Sequence, residues 1–282
     1  MYYLLILVVT IMFGVQFLTN EQYQKETGGG LLNSLKYSVY SSAIGFVALL
    51  IINKFGFNIT LFSVAVALVY GAVCVGLNYS SIKAFQYANL SVYSVFSMIG
   101  GMLLPFVFGL LIGEEFKIIR IICCILIGVS VTLSVSEGGE NNKKALKYYL
   151  GVFILNGMVG VISKFHQMYP ALAVDNGSFM MLTKITTAFL GLLLMLFAKG
   201  KGDALTKKAG LFLSIGAVLN SVANLLLLIA LLHLPASVQY PMVTGGVIVV
   251  SVAIDLIRRK PVTKKEMLAA LIAFLAASSM AL

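Results

Sequence analysis

Along the chain, long apolar runs alternate with short polar breaks. A helix needs about 20 apolar residues to cross a hydrocarbon core of about 30 Å. Ten runs approach that length, at 2–19, 31–53, 60–86, 90–112, 118–135, 147–166, 178–198, 209–231, 235–257 and 264–281. The breaks hold the turn formers, among them Gly28-Gly29-Gly30, residues 53–58, Gly138-Gly139, Asn176-Gly177 and residues 200–203. Runs such as Leu225 to Leu232 do not alternate, which excludes the short alternating strands of a membrane barrel. Each run therefore predicts a transmembrane helix. The first has neither a basic leader nor a small-residue cleavage site, so it is expected to stay as a helix rather than act as a signal peptide.

Composition makes the class firmer. Of 282 residues, 60% are hydrophobic and 11% charged, and mean hydropathy is +1.00. A soluble domain carries about 25% charged residues, so this chain could not cover a water-facing surface. Disorder, a nucleic-acid-binding domain and a disulfide scaffold are excluded on the same grounds. The net charge of +10 sits mainly in loops between apolar runs, where it acts as a topology signal rather than a nucleic-acid surface. Cys74, Cys123 and Cys124 fall inside apolar runs and read as small hydrophobes. No Cys/His spacing resembles a metal site, and no cofactor motif is present.

Residues 136–146 form the most polar segment and lie at the centre of the chain. A shift of 146 residues brings the two sides of that segment into register. Tyr2-Tyr3-Leu4 falls on Tyr148-Tyr149-Leu150, Gly14-Val15 on Gly160-Val161, and Gly45 on Gly191. Asn78 falls on Asn224, Ala84 on Ala230, and Ser91-Val92 on Ser237-Val238. The chain reads as a duplication, with a first five-helix repeat in 1–135, a linker in 136–146 and a second repeat in 147–282. Five is odd, so the second copy enters the membrane from the opposite side. The expected fold is an all-α polytopic membrane protein, ten helices as two inverted repeats. That is the design of secondary transporters, which bind substrate near the midplane between repeats.

Several of these residues also carry a family resemblance. Residues 78–84 (Asn-Tyr-Ser-Ser-Ile-Lys-Ala), 88–92 (Ala-Asn-Leu-Ser-Val), Pro105, Gly113-Glu114-Glu115-Phe116 and Gly128-Val129 resemble the EamA-type pattern of the drug/metabolite transporter superfamily. The second half repeats it with Asn224, Ala230, Leu234-Pro-Ala-Ser-Val238, Pro241 and Gly245-Gly246. It departs at the turn, where Arg258-Arg259-Lys260 stands in place of Gly-Glu. The resemblance implies a ten-helix exporter or exchanger of amino acids, drugs, nucleotide sugars or other metabolites.

Summed by side, the loops after the odd-numbered runs hold fifteen basic residues: Lys25, Lys36, Lys83, Lys143, Lys144, Lys147, Lys199, Lys201, Lys207, Lys208, Arg258, Arg259, Lys260, Lys264 and Lys265. The other side holds four, Lys54, Lys117, Arg120 and Lys164. The positive-inside rule makes the richer side cytoplasmic. Both termini are then expected outside a bacterial plasma membrane.

Within the runs, polar groups mark a pathway because burying them unpaired is costly. The candidate substrate-binding residues are Asn78, Tyr79, Tyr93, Ser97, Asn156, Lys184, Asn220, Asn224, Gln239, Tyr240 and Thr244. Lys184 has two readings: it snorkels to the near interface, or it faces a central cavity as a fixed positive charge. The second would make the substrate anionic or zwitterionic. No carboxylate lies deep in a run, which disfavours drug/proton exchange through an intramembrane Glu. His166 and His233, near helix ends, read as interfacial. The expected function is alternating-access transport of a small polar metabolite by a monomer or homodimer in the lipid bilayer, with no catalytic, cofactor or metal residues. A channel subunit or scaffold, and less readily an intramembrane enzyme, are the alternatives.

Overall fold

The computed structural model describes residues 2–87, 90–113, 122, 125–126, 129, 140–198, 204–231, 233, 236–260 and 262–279. Among them are nine helices and no strand: α1 (Tyr2–Thr27), α2 (Leu31–Ile52), α3 (Leu61–Ala84), α4 (Leu90–Leu111), α5 (Glu140–Gln167), α6 (Asn176–Phe197), α7 (Lys207–Leu231), α8 (Ala236–Ile257) and α9 (Lys264–Ser279). Helices α1 to α7 are long and apolar enough to cross a membrane, α5 over Ala145–Gln167 and α4 over Val92–Gly109. Within α8, Met242–Ile257 forms a shorter apolar segment. Large apolar side chains such as Leu7, Ile51, Phe189 and Leu196 stand exposed on their outer faces. Such surfaces suit lipid, and the helices are compatible with an integral membrane protein.

Two boundaries differ from the expected ones by more than a few residues. The first helix continues past residue 19 to Thr27, because its polar end finds buried partners: Tyr23 Oη donates to Asn33 O at 2.8 Å, and Asn20 Oδ1 accepts from Tyr37 Oη at 2.5 Å. The expected linker 136–146 is helical from Glu140 onward, as the start of α5. Of the expected span 118–135 only residues 122, 125, 126 and 129 are described. Cys123, Cys124 and the Gly-Glu turn beyond Gly113 lie outside the described residues.

Caps set the helix starts. Thr60 Oγ1 accepts from the Ser63 amide at 3.2 Å to begin α3. Thr263 and Glu266 cap α9 reciprocally, a Thr-x-x-Glu box. Asp175 begins α6: its carboxylate accepts from the Ser178 amide at 2.9 Å and from Ser178 Oγ at 2.6 Å, and Asn58 donates to it at 3.2 Å. Burial acts to raise the Asp175 pKa, but the hydrogen bonds from Ser178, Asn58 and Gly177 outweigh it and hold the group below its usual 3.8. A carboxyl lowered on folding adds stability above its unfolded pKa and loses it as pH falls through the folded one. The Asp175→Asn variant should therefore melt below the wild type at neutral pH. That gap should close on acidification below 3.8, read from paired thermal unfolding curves. A gap independent of pH would show that the charge has no part in the cap.

Packing sorts the helices into two groups that cut across chain order. Helix α1 packs on α7 and α8, with α2 on α7 and α9 on α8; α5 packs on α3 and α4, with α6 on α3. The groups meet where α2 crosses α6 and α4 crosses α8. Glycines set the closest approaches and give the helix directions. A Cβ added to Gly246 would meet Thr10, and one added to Gly14 would meet Val250, so α1 and α8 run the same way. Gly101 faces Asn156 and Gly160 faces Pro105, so α4 and α5 are also parallel. Gly45 faces Lys184 while Gly191 faces Ser38 and Val39, so α2 and α6 are antiparallel. The main core joins the groups, with Phe13, Phe17, Phe96, Ile99, Tyr149 and Val247 buried together.

Candidate functional site: a central polar cavity

Polar residues recur at helical spacing on the inner faces. Helix α1 turns Gln16 and Asn20 inward, α3 Cys74, Asn78 and Ser81, α6 Thr183, Lys184 and Thr187, and α7 Asn220 and Asn224. Residues three and four apart share a helix face, so each helix contributes a stripe. The stripes enclose a cavity of ≈ 160 Å³ between the two groups. That is room for on the order of ten waters.

Nine of the eleven candidate residues line it: Asn78, Tyr93, Ser97, Asn156, Lys184, Asn220, Asn224, Tyr240 and Thr244. Two do not. The Tyr79 ring packs edge-on against Tyr148, centroids 6.2 Å apart. Gln239 is buried, with Nε2 donating to Leu227 O at 2.7 Å. The neighbour of each, one residue along, faces the cavity instead. Asn20, Tyr37, Tyr70 and Ser163 also line it and were not singled out from the sequence. Helical phase could have found Ser163, which lies one turn from Val159 and two from Asn156 on α5.

The Lys184 ambiguity is resolved by its neighbours. Its Nζ donates to Asn220 Oδ1 at 3.1 Å, and its stem runs beside Gly45 of α2. It points into the cavity and does not snorkel. Among the 32 described residues that line it, none is Asp or Glu, and none but Lys184 is Lys or Arg. Elsewhere in the wall, Asn78 Nδ2 donates to Ser38 Oγ at 3.0 Å, Asn156 Nδ2 to Ser97 O at 2.6 Å, and Ser81 and Tyr93 share a 2.9 Å hydrogen bond. Gln16 Oε1 is buried with no hydrogen-bond partner among the described residues. Residues 146 apart touch where Thr244 Oγ1 donates to Met98 O at 3.4 Å.

The histidines differ from each other. His233 is exposed and stacks on Tyr2, 4.3 Å between centroids. His166 is buried, stacked on Phe179 at 3.8 Å, with Nε2 2.9 Å from Ser63 Oγ. No group of three or more His, Cys, Asp or Glu side chains able to hold a metal occurs among the described residues.

Helices of membrane length packed around a polar cavity define the class of architecture. No protein-family model matches the chain, and no curated protein matches it. Among solved structures, one described only as "Crystal structure of protein" has a TM-score of 0.64 at 12% identity. The match covers 98% of this chain and 94% of that one. At that identity the likeness concerns the fold alone.

Proposed function

We propose that the protein is a secondary transporter of EamA-like design that moves a small polar metabolite, anionic or zwitterionic, by alternating access. The observation that carries this reading is the central cavity and the pairing of its wall. Under the 146-residue shift, lining residues fall on lining residues: Phe13 on Val159, Tyr37 on Thr183, Ser41 on Thr187, Asn78 on Asn224, Ser97 on Val243. Residues that touch their own counterparts are expected near an axis relating two copies, and the contact of Thr244 with Met98 supports such an axis. Helix directions add to this. With α1 to α4 joined by short turns, α4 runs opposite to α1, and α5 is parallel to α4. Helix α5 therefore opposes α1, the helix it copies, which supports inverted repeats. Parallel α4 and α5 likewise support a further crossing between them, and with it ten spans.

Two pseudo-equivalent arrangements of similar energy suit a carrier, because exchanging them opens the same cavity to either side. Since helices of both repeats mix in each packed group, the moving bodies in this reading are those groups rather than the sequence halves. The charge asymmetry supports both termini lying outside a bacterial plasma membrane.

Labelled metabolites offered to proteoliposomes test the reading. Saturable uptake with counterflow is expected; flux that never saturates would instead mark a channel, and no flux a scaffold. The inverted arrangement has its own test. In a chain freed of native cysteines, Tyr2→Cys and Tyr148→Cys should react with an impermeant thiol reagent from opposite faces. Labelling from one face removes the inverted repeat.

One observation favours an enzyme, the Ser63–His166 pair, which has the spacing of a nucleophile and its base. Its surroundings speak against that role. Ser63 is fully buried, its Oγ accepts from the Val174 amide at 3.0 Å, and neither residue lines the cavity. The pair reads as a tie between α3, α5 and the segment before α6.

A further inference from the structure

The α2–α6 crossing is symmetric in position but not in chemistry. Under the 146-residue shift Ser38 falls on Lys184 and Gly45 on Gly191. A Cβ added to Gly45 would lie 3.2 Å from Lys184 Cε and 3.4 Å from Cδ, so glycine there makes room for the lysine stem. Gly191 faces Ser38 in the mirrored way, its added Cβ 3.6 Å from Ser38 Cβ. The two places thus match in backbone and differ in side chain, a lysine at one and a buried serine at the other. The partners come from corresponding helices but one turn apart. Asn78, which donates to Ser38, is the counterpart of Asn224, one turn beyond the Asn220 that Lys184 engages.

We infer that the substrate carries one carboxylate and no second anionic group, with Lys184 and Asn220 holding the carboxylate and the neutral Ser38–Asn78 pair limiting the count to one. The inference rests on reading the cavity as a substrate site. An ammonium has three N–H donors, and Asn220 occupies one. No carboxylate among the described lining residues offsets the charge, and Glu21, next in sequence to the lining Asn20, is held by Arg258, Lys260 and Lys25. A buried cation without a countercharge favours an anion beside it. A second carboxylate would meet only neutral groups among the described lining residues.

The test is binding, by thermal shift and titration of the purified full chain with C2–C8 monocarboxylates, their neutral amides and the matching dicarboxylates. At least one monocarboxylate should stabilise the wild type while its amide and the dicarboxylates do not. Lys184→Ser should weaken that ligand roughly 10- to 100-fold, the worth of a hydrogen bond to a charged group. Ser38→Lys should gain dicarboxylate binding, and the exchange variant Ser38→Lys/Lys184→Ser should recover the monocarboxylate, which a merely structural lysine would not allow. Equal response to acid and amide, no response to any monocarboxylate, or unchanged affinity in Lys184→Ser overturns the inference. If Lys184→Ser does not fold, the acid-against-amide comparison on the wild type still decides. Carboxylate binding without flux would support this site while removing the carrier reading; saturable flux with an unaltered Lys184→Ser affinity would do the reverse.

Discussion

Replacing Gly100 by valine should leave no correctly packed protein, and even Gly100→Ala should be severely damaging. A Cβ at this position of α4 would collide with the carbonyl oxygen of Phe153 on α5 and lie 2.6 Å from its carbonyl carbon and 2.7 Å from its Cα. These are backbone atoms, with no rotamer that gives way. The only relief is to move two parallel helices apart along an interface that also includes Gly157, whose own added Cβ would lie 2.6 Å from Gly100 O. Overpacking a core costs about 1–3 kcal/mol where side chains can adjust, so a backbone collision belongs above that range. Close approach of this kind is what small residues provide in membranes, where packing rather than water exclusion drives association. A glycine 146 residues further on gives the control. Gly246 on α8 faces the Thr10 side chain, its added Cβ 2.6 Å from Cγ2 but 3.5 Å from Cβ. Gly246→Ala should therefore be destabilising alone and largely restored by Thr10→Ala, whereas no substitution at Phe153 should restore Gly100→Ala. Size-exclusion profiles and melting temperatures of the five proteins check this. Rescue at Phe153 would mean that the helices have slack there.

The contrast between these glycines shows what could and could not be read along the chain. Apolar run length located the helices because lipid-facing and core-facing positions are both apolar, so composition alone marks them. Asn78, Asn224 and Lys184 stood out because a polar group in such a run needs a reason. Asn20 did not, since it lies where the apolar run ends, and Tyr37 did not, since tyrosine is at home near an interface. What holds them in the wall is their mutual 2.5 Å hydrogen bond between α1 and α2, a tertiary fact. Tyr79 and Tyr240 are polar positions of the same kind. Helical phase turns one out to Tyr148 and the other into the cavity. For Lys184, depth suited either snorkelling or cavity lining, and only the position of Asn220 and Gly45 decides it.

The end of α1 holds the second large effect, and again the cause lies far along the chain. Glu21, with a side chain 2% exposed, is bound by Arg258 at 2.5 Å, by Lys260 and by Lys25 at 3.0 Å. Arg258 and Lys260 come from the end of α8, 237 and 239 residues away. The carboxylate thereby ties α1 to the turn that carries Arg259 at φ 53. Removing one member of a buried ion pair costs about 3–5 kcal/mol because the partner's charge is stranded. Here the stranded cations are 25% and 19% exposed and can regain water. The expected cost of Glu21→Gln is therefore lower, about 2–3 kcal/mol. Lys25→Gln should cost at most about 0.5 kcal/mol, since Lys25 is 47% exposed and sits one turn away on the same helix. Arg258→Gln should fall between them, leaving Glu21 two of its three cations. Raising salt should weaken the exposed Lys208–Glu26 pair and leave the Glu21 cluster nearly unchanged, because screening acts on solvated charges. Thermal unfolding at low and high salt orders the three variants. A Glu21→Gln loss no larger than that of Lys25→Gln would mean that the cluster is a surface ornament and that apolar packing alone holds α1 against α8.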